Sequence, residues 1–246
     1  MRFLRKQPAV SSTRRQALPD RRPVRLRLDG VELEPDISGA LYVPDYHTLL
    51  VADLHLEKGS SFAARGLHIP PYDTRSTLTA LETVIKSRKP ERLISLGDSF
   101  HDAKAGERLD RDDLARLCRL CETIDVCWLI GNHDPVLPSG LGGRIASEIA
   151  LGPLALRHLP KTRLGTDIEI AGHLHPVASI SRRGRRVTSR SFVAGSRRLI
   201  MPAFGAYTGG LNVSAPEIGS LFHEETFTAW MIGRRAIYGF SSRLLD

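Results

Sequence analysis

The sequence predicts an α/β protein in which strands and helices alternate first and hairpins follow. Short apolar runs at residues 93–96 and 126–130 have the length and composition of buried strands. The segments at residues 73–88 and 110–124 instead carry apolar side chains at helical spacing. In the C-terminal third, strand-like runs come in pairs that are joined by Gly- and Arg-rich turns, which indicates hairpins.

Two hairpins are expected at the start of the folded region. Residues 24–28 alternate apolar side chains with arginine, as a half-buried strand does. Asp29-Gly30 is a turn signal, and a return strand begins at residue 31. A second hairpin joins residues 40–43 to residues 48–52.

The helices and the later strands also have local signals. Asp73 is expected to cap the first helix, and Asp110 or Asp112 the second, because a carboxylate accepts hydrogen bonds from free backbone N–H groups. Short apolar runs predict two further strands, and turn residues between β-rich runs predict two further hairpins. The strands are at residues 154–156 and 168–171, and the hairpins at residues 177–193 and 227–240.

Composition limits the class of protein. The 246 residues are 41% hydrophobic and 25% charged, which is typical of a globular protein with a sizeable core. No run of 18 apolar residues is present, so the sequence predicts no membrane span. The three cysteines argue against a disulfide framework and for a reducing, cytoplasmic location. Cys118 and Cys121 form a C-x-x-C pair, but their helical spacing favours core packing.

The net charge of +8 is concentrated in two segments. One is residues 1–23, which we interpret as a basic, flexible tail that precedes a single domain at residues 24–246. The other is the arginine-rich segment at residues 182–198. Basic segments of this kind favour a polyanionic partner.

Polar side chains that can bind metal follow five of the apolar strand segments. They are Asp53 and His55, Asp98, Asn132 and His133, His158, and His173 and His175. Because ligands bind at the carboxyl ends of strands in open α/β sheets, we expect these side chains to meet. Asp, His and Asn without cysteine suit manganese, iron or zinc. Seven candidate ligands exceed the three or four of a single catalytic ion, so two ions are expected.

Backbone geometry supports this interpretation. In a strand-like segment, the two polar side chains of Asp53-Leu54-His55 and of His173-Leu174-His175 are expected to point the same way. The glycines that precede Asp98, Asn132 and His173 would let the chain turn sharply and approach the ions.

The series Asp53-Leu54-His55, Gly97-Asp98, Gly131-Asn132-His133-Asp134, His158 and Gly172-His173-Leu174-His175 resembles the calcineurin-like binuclear metallophosphoesterases. The resemblance implies a four-layer α/β/β/α sandwich of two mixed sheets flanked by helices. It implies one ion held by Asp53, His55, Asp98 and His175, and another held by Asp98, Asn132, His158 and His173. His133 would face the substrate phosphate without binding metal.

A narrower resemblance rests on further segments. Asp53-Leu54-His55-Leu56-Glu57-Lys58-Gly59, Pro70-Pro71-Tyr72-Asp73-Thr74, Gly97-Asp98-Ser99-Phe100-His101-Asp102 and Pro202-Ala203-Phe204-Gly205 with Thr208-Gly209-Gly210 are similar to the bacterial ligase-associated DNA-damage-response endonucleases. The resemblance implies a manganese-dependent phosphodiesterase that acts on DNA in repair, associated with a DNA ligase and helicase. Single-stranded or flapped DNA is the expected substrate. The oligomeric state stays open, with a homodimer as one alternative.

The expected reaction is attack on the phosphodiester by a hydroxide that bridges the two ions. His133 would act as general acid or contact the phosphate, and His101 would be a second acid or a supporting group. Asp134 is expected to cap the following turn rather than to orient His133. The arginines of the predicted hairpin tip are expected to contact the DNA backbone. These are Arg182, Arg183, Arg185 and Arg186.

Several other functions stay open at the level of sequence. A nucleotide or lipid-nucleotide pyrophosphatase, or a cyclic-nucleotide phosphodiesterase, could use the same site. A phosphoprotein phosphatase is disfavoured, because Ser99-Phe100 follows Asp98 where such enzymes have Arg-Gly. The non-enzyme alternative is a basic DNA-binding module with a structural metal, although structural sites are usually rich in cysteine.

Overall fold

The computed structural model describes residues 24–67, 69–223 and 225–246. The basic tail expected at residues 1–23 lies outside the described residues, and the division into a tail and one domain stays a prediction. In the described part of the chain, no helix is both long enough and apolar enough to span a bilayer.

A seven-stranded mixed sheet contains the first half of the chain. Its strands, in spatial as well as chain order, are β1 (Leu26–Leu28), β2 (Val31–Pro35), β3 (Leu41–Val43), β4 (Thr48–Val51), β5 (Arg92–Ser95), β6 (Asp125–Leu129) and β7 (Arg144–Ala146). The pairs from β1 to β4 are antiparallel, and those from β4 to β7 are parallel. The carboxyl ends of β4, β5 and β6 therefore lie at one edge.

A nine-stranded mixed sheet contains most of the second half. Its strands are β8 (Glu148–Leu151), β9 (Leu154–Arg157), β10 (Ile168–Ala171), β11 (Pro176–Arg182), β12 (Arg185–Ala194), β13 (Arg198–Ile200), β14 (Leu211–Asn212), β15 (Thr228–Ile232) and β16 (Ile237–Ser241). Strand β10 pairs in parallel with β9 and with β13. The carboxyl ends of β9 and β10 thus form a second edge with a common direction.

Helices cover the outer faces of the two sheets. They are α1 (Lys58–Ala64), α2 (Asp73–Arg88), α3 (Ala105–Arg108), α4 (Arg111–Thr123) and α5 (Pro216–Gly219). The side chains of β4 alternate between layers: Leu49 packs with Leu81 of α2, whereas Leu50 packs in the cluster that contains Ile170 of the second sheet. Alternation with period two therefore builds one core between the sheets and another under the helices. The outer face of the second sheet packs against α5.

Most of the predicted elements are present, and two details differ. Asp110 caps α4 as predicted, because its side chain accepts a hydrogen bond from the Asp112 N–H at 2.8 Å. The prediction that Asp73 caps α2 was wrong. Tyr72 occupies that position, and Asp73 accepts from the Gly59 N–H at 2.9 Å, which ties α2 to α1. Cys121 and Cys127 pack in apolar clusters, and Cys118 is half-buried beside the Gly140 carbonyl.

Candidate metal centre

The seven candidate ligands lie in loops that leave the carboxyl ends of five strands. Asp53 and His55 follow β4, Asp98 follows β5, and Asn132 follows β6. In the second sheet, His158 comes directly after β9, whereas His173 and His175 follow β10. Because the two sheets face each other across a shared core, their carboxyl edges bring these loops together. The structure therefore assembles residues that are as far apart in the chain as His55 and His175, whose Nε2 atoms are 3.3 Å apart.

The backbone that presents these side chains is not strand-like, so this part of the prediction was wrong. Five candidate ligands have positive φ: Asp53 (55°), His55 (43°), Asp98 (48°), His173 (70°) and His175 (45°). The left-handed conformation is costly for residues with a Cβ, and such residues concentrate at functional sites. Hydrogen bonds between the loops hold the strained turns, including one from the His55 N–H to the Asp98 carbonyl at 2.9 Å.

The close backbone approach that the glycines predicted is confirmed. A Cβ on Gly131 would lie 2.1 Å from Oδ1 of Asp98, and a Cβ on Gly172 would lie 2.8 Å from Oδ2 of Asp53. Gly97 adopts φ of 84°, and a Cβ there would meet the His158 ring at 2.6 Å. Side chains at these three positions would displace candidate ligands.

One group of donor atoms surrounds Asp53. His175 Nε2 lies 3.2 Å from Asp53 Oδ1 and 3.3 Å from His55 Nε2. His55 Nε2 lies 3.9 Å from Asp98 Oδ2. The donor atoms of Asp53, His55 and His175 are close enough together to hold one metal ion.

A second group of donor atoms surrounds His158. Its Nε2 lies 2.9 Å from Asn132 Oδ1, 3.3 Å from His173 Nδ1 and 3.4 Å from Asp98 Oδ2. The donor atoms of Asp98, His158 and His173 could hold a second ion. Asp98 is within 4.0 Å of a histidine from each group, so its carboxylate lies between them.

The orientation of the rings fits a bound cation. His158 Nδ1 lies 2.9 Å from the Leu96 carbonyl, and His175 Nδ1 lies 3.3 Å from the Gly209 carbonyl. A carbonyl only accepts, so each Nδ1 carries the hydrogen, and each Nε2 of a neutral ring presents a lone pair. Those lone pairs point at carboxylate and amide oxygens, which are also acceptors. A divalent cation would satisfy all of them, and backbone carbonyls that orient ligand histidines in this way are usual at metal sites.

The pKa values agree with a site for positive charge. Burial and the neighbouring His175 lower the pKa of His55 to about 3, which leaves its ring neutral and able to bind metal. Burial lowers the pKa of His158, but its hydrogen bond with Asp98 and the charges of Asp53 and Asp98 together raise it. Burial opposes ionisation of Asp98, yet the contact with His158 holds its pKa at about 2. The clustered His and Asp side chains thus form a divalent-metal site.

His133 and His101 lie at the open side of this cluster. His133 Nδ1 is 3.0 Å from the His101 carbonyl, so its Nε2 is free, 4.0 Å from Asp98 Oδ2. The His133 side chain is 43% exposed, which makes it accessible to a substrate. The two rings stack with centroids 5.4 Å apart, and His101 Nδ1 lies 3.4 Å from His55 Nδ1.

Asp134 ties two loops together instead of capping the turn that follows it, so that prediction was wrong. Its carboxylate is fully buried and accepts hydrogen bonds from the Gly131 and Phe100 N–H groups at 2.9 and 3.0 Å. Burial raises the pKa of Asp134 to about 6. These contacts connect the loops that carry Asp98 and Asn132. Asp134 does not orient the His133 ring, whose Nδ1 instead contacts the His101 carbonyl.

The four arginines predicted to contact DNA are not part of this cluster. Arg182, Arg183, Arg185 and Arg186 lie at the far end of the β11–β12 hairpin, where residues 181–188 are all exposed. We call residues 181–188 the basic ribbon. The sequence reasoning missed the carbonyls of Leu96 and Gly209, because backbone groups leave no signature of their own; Gly209 does fall in a segment that the narrower resemblance includes.

Comparisons with known proteins agree with this architecture. A nuclease of Pseudomonas putida, MPE, matches with a TM-score of 0.68 and 28% identity, over 89% of this chain and 100% of that chain. Yfce, an E. coli phosphoesterase, matches with a TM-score of 0.38 and 14% identity, over 80% of this chain and 98% of that chain. A conserved Streptococcus pneumoniae protein, described as a predicted phosphoesterase, matches with a TM-score of 0.30 and 14% identity, over 79% of this chain and 96% of that chain. No protein-family model and no curated protein matches. The match to MPE confirms the predicted fold of two mixed sheets flanked by helices.

Proposed function

We propose that this chain is a nuclease of the metallophosphoesterase superfamily, a metal-dependent phosphodiesterase that cleaves DNA. One observation carries the proposal: Asp98 lies between two groups of donor atoms that are centred on His175 and His158. The match to a nuclease at 28% identity, over 89% of this chain, supports a nucleic acid as the substrate. The similarity of its segments to ligase-associated endonucleases supports a role in DNA repair, in the cytoplasm, alongside a ligase and helicase.

Two divalent ions fit the donor atoms. Asp53, His55, Asp98 and His175 would hold one, and Asp98, Asn132, His158 and His173 the other. Mixed oxygen and imidazole donors without thiolate suit manganese, iron or zinc. The resemblance to the ligase-associated endonucleases favours manganese among them. Such ions activate water for attack on phosphorus and neutralise charge on the phosphate oxygens.

His133 would act on the substrate. The His101 carbonyl accepts from Nδ1–H and fixes the ring, and the His133 side chain is 43% exposed. In its protonated form the ring also carries a hydrogen on Nε2, which would donate a proton to the leaving oxygen or a hydrogen bond to the phosphate. The His101 side chain lies behind, against His55 and the aromatic ring of Phe62.

The substrate assignment also draws on charge. The basic ribbon adds four arginines to the same molecule, and arginine contacts with phosphates give affinity without reading bases. A cyclic nucleotide or a nucleotide pyrophosphate needs no such surface.

A comparison of substrates tests the proposal. Purified protein with manganese is given circular single-stranded DNA, bis-p-nitrophenyl phosphate, a cyclic nucleotide and a nucleotide pyrophosphate side by side. We expect cleavage of the DNA and of the bis-p-nitrophenyl ester. His133→Ala should slow both by about 100-fold to 10,000-fold, the usual contribution of a positioned proton donor.

The matched control is His223→Ala, which removes an exposed histidine whose Nε2 contacts the Thr162 carbonyl, in the loops at the amino end of β10. It should leave the rates unchanged. Hydrolysis of the cyclic nucleotide or the pyrophosphate with intact DNA would overturn the assignment to DNA. Metal uptake without hydrolysis of any substrate would favour the binding module.

A further inference from the structure

The basic ribbon projects from the body of the protein. Strands β11 and β12 pair from Val177 and Arg190 out to Arg182 and Arg185, but every residue from 181 to 188 is exposed. Even Val187 is 57% exposed. A two-stranded ribbon without a packed face is only marginally stable, so burial does not explain its sequence.

The charges on the ribbon oppose its folding. Arg182 lies directly across from Arg185, and like charges in such a pair destabilise a hairpin. Among the described residues, the acid that pairs with the ribbon is Asp246, whose Oδ2 is 3.9 Å from Arg186 Nε. Arginines that repel one another on an exposed ribbon indicate a polyanionic partner.

The turn gives an independent indication. Arg183 and Gly184 are the two residues of the turn, and both have positive φ, at 51° and 73°. A two-residue turn of this type favours Asn-Gly or Asp-Gly, because arginine is strained in the left-handed region. The chain therefore places a fourth arginine at the tip where folding alone favours another residue.

We propose that the basic ribbon enters a groove of double-helical DNA and holds a duplex segment beside the strand that is cut. This inference rests on the proposed function and names the part of the substrate that the ribbon binds. The major groove of DNA admits a two-stranded ribbon. Arg182 and Arg185 lie on one face, Arg186 lies on the other, and Arg183 lies at the tip, so both walls of a groove are within reach.

The composition of the ribbon favours a duplex over a single strand. Surfaces that bind single strands combine basic groups with aromatic rings on which the bases stack. Residues 181–188 read Ser-Arg-Arg-Gly-Arg-Arg-Val-Thr and contain no aromatic side chain. Contacts to the phosphates of a groove need only the arginines.

The fold fixes how far this duplex lies from the metal centre. Strand β11 begins at Pro176, directly after His175, and runs without interruption to Arg182. Seven extended residues span about 20 Å. The preferred substrate is thus a single strand that joins a duplex within about 20 Å of the cut.

Neutralising the ribbon tests this. In one variant, Arg182, Arg183, Arg185 and Arg186 are changed to Gln. DNA binding is measured by fluorescence anisotropy over a range of salt, for a plain single strand and for a strand that carries a duplex arm. We expect affinity for the DNA with the duplex arm to fall at least about 10-fold, and the slope of log K against log salt to fall by about three to four. Affinity for the single strand should change little.

The control variant carries the same charge change on α2 and α4, at Arg75, Lys86, Arg111 and Arg119, which are exposed. It should keep the affinity for the duplex arm. Equal losses for the single strand and the duplex arm, or no loss for either, would overturn the proposal. If the wild type does not hydrolyse bis-p-nitrophenyl phosphate, the proposed function fails separately, whatever the ribbon variant binds.

A single substitution separates binding from folding. Arg183→Asn suits the turn better, so we expect a higher melting temperature together with weaker binding of the duplex arm. Opposite signs cannot arise from partial unfolding of the ribbon. A variant that melts higher and binds as tightly as the wild type would remove Arg183 from the interface and contradict the proposal.

Discussion

Two groups of buried carboxylates differ in where their counter-charge comes from. Beneath the second sheet, Glu169 is fully buried, with Oε1 2.6 Å from Arg157 Nη1 and Oε2 2.7 Å from Arg198 Nε. We call Arg157, Glu169 and Arg198 the Glu169 cluster. At the metal centre, Asp53 and Asp98 are buried to a similar extent. Among the described residues, each ion-pair partner of these two aspartates is a histidine.

The difference separates a structural cluster from a functional one. Buried charge is costly unless it is paired, and guanidinium groups pair Glu169 permanently. Imidazole carries no permanent charge, so the described residues of the metal centre supply no permanent cation. The Glu169 cluster is complete within the chain, whereas the metal centre is complete only with ions from solution.

The largest effect is expected from a substitution that breaks the Glu169 cluster. Glu169→Gln leaves Arg157 and Arg198 without their buried carboxylate, although Arg157 keeps Glu148. We expect the free energy of unfolding to fall by about 3–5 kcal/mol, as when one partner of a buried pair is removed. Urea denaturation measures this, and Glu217→Gln on the exposed surface of α5 is the control. Manganese should not restore the loss; if it did, the two clusters would not be independent.

The sequence predicted the metal centre better than the Glu169 cluster, for a physical reason. Asp53, Asp98 and His173 each follow an apolar strand, so a local pattern shows both the residue and its position in the fold. Glu169 sits inside the apolar run of β10, which is a local sign of an unusual buried charge. Its partner Arg198 is 29 residues further along, and only the register of β10 against β13 brings them together.

The same limit applies to fine geometry at the metal centre. The order of strands and the candidate ligands followed from local patterns, but the left-handed backbone at His55 and His175 did not. That backbone is imposed by hydrogen bonds between loops from different strands, such as the one between His55 and Asp98. The Asp73 side chain went to α1 rather than to its own helix terminus for the same reason: a partner distant in sequence competed with a local one.

Manganese should stabilise the protein through the metal centre alone. A ligand that binds only the folded state adds about 2.7 kcal/mol at a concentration 100 times its Kd. We expect this gain in urea denaturation, with two ions per chain by calorimetry, and its loss on addition of EDTA. Asp98→Asn should abolish most of the gain, because Asp98 lies between both groups of donor atoms. Glu169→Gln should keep it, and uptake of a single ion would refute the paired site.

The smallest effect is expected at His101 and decides its role. The His101 side chain contacts His55 at 3.4 Å, whereas its carbonyl, which any residue supplies, orients His133. His101→Ala should therefore weaken manganese binding about 10-fold, the lower end for groups that orient a ligand. At saturating manganese, hydrolysis of bis-p-nitrophenyl phosphate should return close to the wild-type rate. A rate that stays low at saturating manganese would make His101 a proton donor. The loss of a residue that only supports metal binding is compensated by a higher manganese concentration.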